Sequence, residues 1–108
     1  MSGQQFTWWP YAKNMIRQYK KHKGRSDLNR VELLEVQAVN KAIALTADKP
    51  DGQERLALMY KVYWAKHAVT VYRAAAELYI SYSTAKRWNK EFFLLVAEAF
   101  GLYDPEEE

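Results

Sequence analysis

The prolines and glycines of this chain set where its helices can begin and end. All 3 prolines and all 4 glycines stand at places where helical periodicity starts or stops. Pro10 suits the first turn of a helix running to about His22, which Gly24 then ends. Asn29 followed by Glu32 matches a capping box, so a long helix is expected from about Leu28 to Thr46, with Val31, Leu34, Val39 and Ile43 on its inner side. Lys49-Pro50-Asp51-Gly52 reads as a turn. Gln53 to His67 reads as a third helix, with Leu56, Met59, Tyr60 and Tyr63 on one stripe. Two further helices follow Ala68, and Gly101 ends the second. Asp51-Gly52 lies between helical patterns rather than alternating ones, so no hairpin is indicated. The expected fold is all-α: a compact single domain of about five helices over residues 1–103, followed by an acidic tail at 104–108.

Composition narrows the class further. Of the 108 residues, 49% are apolar, with 4 Trp and 8 Tyr, which excludes disorder and allows a real core. No apolar run approaches the length of a membrane span, and the Met-Ser-Gly-Gln-Gln start is unlike a signal peptide. The chain has no cysteine, so disulfide and thiolate chemistry are absent, which fits the cytoplasm. A net charge of +3 is modest, but Lys13, Arg17, Lys20, Lys21, Lys23 and Arg25 occur with no acid between them. Glu106, Glu107 and Glu108 end the chain. That asymmetry points to a polyanionic partner.

Residues 71–90 carry the sharpest motif, fitting the register of a helix-turn-helix. Ala74, Ala75 and Ala76 let two helix backbones approach, and Leu78, Ile80, Ala85 and Trp88 fall where the helices pin together. Ser81 is placed to cap the second helix. Stepping about 100° per residue from Ala85 puts Trp88, Phe92, Val96 and Ala99 on one face. Ser83, Lys86, Arg87 and Lys90 fall on the opposite face, which carries no acid. Short polar groups and cations at the start of such a helix suit the major groove of DNA. One position departs from the pattern: Tyr79 stands where glycine usually supplies a positive φ. The turn is then either reshaped or compensated by packing, since a side chain there costs on the order of 1 kcal/mol.

Other features admit a structural reading beside a functional one. Trp8-Trp9-Pro10-Tyr11 is expected to fold back as a lid on the core, with base stacking or a dimer contact as the alternatives. Phe93 and Leu94, in the apolar run 92–96, either pack under the N-terminal helices or meet a second subunit. Lys13, Arg17, Lys20, Lys21 and Arg25 are candidate phosphate contacts, the alternative being a solvated face. His67 is expected to be a partly buried structural residue. No metal site, cofactor motif or catalytic set is indicated, because neither histidine has ligands at metal spacing and the acids Glu32 and Glu35 are ordinary surface neighbours.

Four segments then come in a familiar order: Tyr11-Ala-Lys-Asn-Met-Ile-Arg-Gln-Tyr, Val31-Glu-Leu-Leu-Glu-Val-Gln-Ala-Val-Asn-Lys-Ala-Ile, Arg55-Leu-Ala-Leu-Met-Tyr-Lys-Val-Tyr-Trp and Leu78-Tyr-Ile-Ser-Tyr-Ser-Thr-Ala-Lys-Arg-Trp. Over about residues 10–103 the chain resembles the small phage late-gene transcriptional regulators of the RinA/ArpU kind, themselves similar to the sigma-factor domain that reads the upstream promoter element. The resemblance implies a non-enzymatic, sequence-specific activator in the cytoplasm of a bacterial host. It binds double-stranded promoter or operator DNA, with host RNA polymerase and a second copy of itself as further partners. It also implies that Ser81, Tyr82, Ser83, Thr84, Lys86, Arg87 and Lys90 are the DNA-contacting positions. A small terminase-like packaging component and a protein-binding adaptor that reuses the same surface are the alternatives.

Overall fold

The computed structural model describes residues 6–105, and every regular element in them is helical. Five α-helices follow in order: α1 Trp9–His22, α2 Arg30–Ala47, α3 Gly52–Met59, α4 Val71–Glu77 and α5 Tyr82–Phe100. Pro10 lies in the first turn of α1, and the Asn29–Glu32 capping box at the start of α2 is complete in both directions.

The third helix is shorter than its periodicity predicts. After Met59 the chain widens into a π turn, Tyr60–Trp64, closed by Ala65 N–H donating to the Tyr60 carbonyl at 2.7 Å. A wider turn advances fewer degrees per residue, so it swings Trp64 back toward the inner face that Met59 occupies. There Trp64 Nε1 donates to the Ile16 carbonyl at 2.7 Å, tying the turn to α1. His67, three residues beyond, is exposed rather than partly buried, because the helix that was to carry it inward has already ended. Tyr60 is exposed as well, because Leu58 and Met59 take the inner positions and the next residue along the helix then points outward.

Helix α5 is the centre of the molecule, packing against α2, α4, α1 and α3. Ala85, Trp88, Phe92, Phe93, Val96 and Ala97 are its buried residues, so the phase expected for its inner face holds. Phe93 goes under the N-terminal segment: Trp9 stacks on it with ring centroids 4.1 Å apart. Trp8 and Trp9 are partly buried against the core, and Trp8 stacks on Phe6 at 4.7 Å, so the aromatic entry is a lid.

Two expectations for α2 fail. Val31 and Leu34 are 52% and 42% exposed, and the inner face is instead Val36, Val39, Ala42, Ile43 and Thr46. Apolar residues at 31, 33, 34 and 36 surround the first turns, so the pattern there does not define a face.

Between α4 and α5, the Tyr79 and Ile80 amides donate to the Ala76 and Ala75 carbonyls at 3.3 and 3.0 Å. This is the Schellman arrangement, which needs a left-handed residue at its bend. Tyr79 provides it with φ of 60°, and its side chain is 95% exposed, so neighbouring packing does not repay the strain. Ala74 and Ala75 are buried at the α4–α5 approach, while Ala76 faces solvent. Tyr79→Gly should therefore stabilise the protein by about 0.5–1 kcal/mol, the relief of strain exceeding the entropy cost of glycine. Urea unfolding of the variant checks this, and a lower midpoint would mean that the tyrosine ring makes a stabilising contact.

Candidate nucleic-acid interface

The first turn of α5 is fixed before any side chain reaches outward. Ser81 Oγ accepts from the Thr84 amide at 3.1 Å and lies 2.8 Å from the Thr84 hydroxyl. Thr84 is consequently half-buried and occupied with the cap, whereas Tyr82, Ser83, Lys86, Arg87 and Lys90 are exposed. Lys86 Nζ rests 4.8 Å from the Tyr82 ring centroid, which holds its ammonium near the start of the helix. Lys90 has no ion-pair partner among the described residues.

The cationic face does meet one acid. Glu91, at its flank, has one carboxylate oxygen 2.5 Å from Arg55 Nη1 and the other 3.8 Å from Arg87 Nε. Arg55 holds this carboxylate firmly from a mostly buried position, so Arg87 has only a long and exposed contact to give up. Arg55 also donates to the Pro50 carbonyl at 3.0 Å and stacks its guanidinium 5.1 Å above the Trp88 ring. One arginine thus joins the turn before α3 to the buried side of α5.

One exposed aromatic, Tyr72, joins the expected Tyr82 on this surface without having been expected there itself. Tyr72, on α4, is 67% exposed and meets Tyr82 edge to face at 5.3 Å. Only the folded approach of α4 to α5 brings them together, and their spacing along the chain gives no signal of it.

The basic residues of α1 and of the segment just after it separate into different environments. Lys20 Nζ donates to the Trp64 carbonyl at 2.9 Å and lies over the Tyr60 ring, so it closes the π turn. Arg25 makes a two-point pair with Asp27 at 2.9 and 2.7 Å, whose hydrogen bonds hold that carboxyl below its usual range. Lys21 is exposed. Lys13 and Arg17 line a cleft with Tyr63 and Arg73. The five cations are therefore not one continuous stripe. Among the described residues no group of three His, Cys, Asp or Glu side chains is placed to hold a metal, and no helix is long and apolar enough to cross a membrane.

Comparison with protein-family profiles, with curated proteins and with solved structures gives no match for this chain.

Proposed function

We propose that this protein is a sequence-specific regulator of transcription that binds double-stranded DNA with the first half of α5, in the manner of the phage late-gene activators its residues resemble. The observation that carries this reading is the outward row Ser83, Lys86, Arg87 and Lys90, projecting from a capped helix whose other face is anchored in the core. A rigid helix with exposed cations and short hydroxyls suits base edges and the phosphates flanking them. The α4–α5 pair, with its tight intervening turn, supports a helix-turn-helix assignment. Selection of bound duplexes from a random pool tests the reading: a recovered motif is expected, and enrichment of no sequence at any salt concentration would overturn it.

Within this reading, Arg87→Ala should cost about 1–3 kcal/mol in binding and relax preference at one or two base pairs. Titration of the folded variant against single-base variants of the selected motif measures both effects. Unchanged affinity and selectivity would remove α5 as the reader.

One surface favours a second reading, a packaging component that assembles through its own copies. Leu34 is exposed on α2 and lines a groove with Ala99 and Phe100 of α5, and Val31 and Leu45 are exposed elsewhere along the same helix. Exposed apolar patches of this kind mark contact surfaces. Native mass spectrometry separates the two: a ring of many subunits favours packaging, a monomer or dimer favours regulation.

A further inference from the structure

Between α1, the π turn and the start of α4 lies a cleft of about 620 Å³, lined by Lys13, Arg17 and Arg73 together with Tyr63 and the valines at 62, 69 and 71. No carboxylate lines it. Lys13 is half-buried, and neither it nor Arg17 has an acidic partner among the described residues. They stand one helical turn apart on α1, so both side chains reach the same opening. The apolar walls weaken the screening of these charges and strengthen their attraction for an anion.

Arg73 comes from the other side of the cleft. Its Nε is 3.1 Å from Glu77 one turn along α4, and its side chain is 70% exposed. An exposed pair at this spacing is weak and screened by solvent, so Arg73 can leave it at small cost. Glu77 would not be left unpaired, because Lys61 Nζ donates to its other oxygen at 3.0 Å. The guanidinium fork also matches the geometry of phosphate oxygens better than it matches one carboxylate oxygen.

We infer that this cleft is a phosphate-binding site, in which Lys13 and Arg17 meet the group from α1 and Arg73 exchanges Glu77 for it. The phosphate has two chemical sources: the backbone of DNA held by α5, or a free nucleotide-sized phosphorylated molecule, which the cleft is large enough to admit. The first source rests on the DNA-binding reading. It is supported by Tyr63, whose hydroxyl donates to Asn89 Oδ1 at 2.7 Å and so joins the cleft wall to α5 next to Lys90. Burial pushes the Tyr63 phenol up to about 12, partly offset by Asn89 and Arg17, so it adds no negative charge to the site.

The test uses inorganic pyrophosphate, followed by amide NMR shifts of the full chain at low salt, together with binding of a duplex across a range of salt. Pyrophosphate should shift the amides of residues 13–17 and 68–73, and Lys13→Gln with Arg17→Gln should weaken that binding at least tenfold. Glu77→Gln, which frees Arg73, should tighten it several-fold. If DNA is the source, the double variant should keep the selected motif while the slope of log K against log salt flattens by roughly two. If a free molecule is the source, pyrophosphate and nucleoside triphosphate bind while the slope is unchanged. Absence of pyrophosphate shifts in the parent protein, or shifts that persist unaltered in the double variant, together with an unchanged salt slope, would overturn the site even where a DNA motif is recovered. Pyrophosphate binding without any DNA motif would instead retain the site and overturn the DNA-binding reading.

Discussion

Trp88→Ala should lower the stability of this protein by about 3–5 kcal/mol, the usual cost of truncating a large buried aromatic side chain. That is a large share of the about 5–15 kcal/mol available to a domain of this kind. Trp88 is 5% exposed and belongs to the core on the inner side of α5, so its loss opens a cavity beneath the helix that carries the outward face. It also removes the ring beneath the Arg55 guanidinium, loosening the link from Pro50 to Glu91. One local feature opposes the trend: Trp88 Nε1 is buried with no hydrogen-bond acceptor among the described residues. A buried donor left unpaired costs about 1–3 kcal/mol, so Trp88→Phe, which removes that N–H and keeps a ring, should cost clearly less than Trp88→Ala. Urea unfolding of both variants checks the pair. An alanine variant with the midpoint of the parent would mean that Trp88 does not anchor α5.

The phase of α5 was readable because its signals agree. Ser81 caps it, Ala85, Trp88, Phe92 and Val96 fall on one side, and the cations fall on the other. The α2 capping box was equally plain. The inward face of α2 was not, since its first two turns carry apolar residues in every direction and only contact with α1 and α5 selects among them. Nothing local announced the π turn either, because what it accomplishes, the reach of Trp64 to the Ile16 carbonyl, depends on a residue far away in the chain. The candidate site divides in the same way. Ser83, Lys86, Arg87 and Lys90 lie on a single helix and follow from its geometry. The cleft of Lys13, Arg17 and Arg73, the Tyr72–Tyr82 contact and the hold of Arg55 on Glu91 each join separate elements, and only packing creates them.

The junction of α2 and α3 supplies the second large effect. Glycine at the first position of a helix is ordinarily a weak choice, and alanine there gains about 0.5–1 kcal/mol. Gly52→Ala should do the opposite, destabilising the protein by about 3 kcal/mol, near the upper end of typical overpacking costs. A Cβ built at Gly52 would stand 2.6 Å from the Ala47 carbonyl oxygen and 2.7 Å from that of Thr46. Both are backbone atoms of the last turn of α2, so no rotamer change relieves the clash and the two helices must part. The turn that joins them would be strained with them. Lys49 N–H donates to the Thr46 carbonyl and Gly52 N–H to the Lys49 carbonyl, both at 3.0 Å, and Asp51 already holds φ of 59°. Separation of α3 from α2 would also draw Arg55 away from Glu91 and Trp88, so the disturbance reaches the buried side of α5. For a domain of this size the expected fall in Tm exceeds about 10 °C. Thermal unfolding followed by far-ultraviolet circular dichroism measures it. An unchanged or higher Tm for Gly52→Ala would show that α2 and α3 do not meet as closely as these carbonyl distances require.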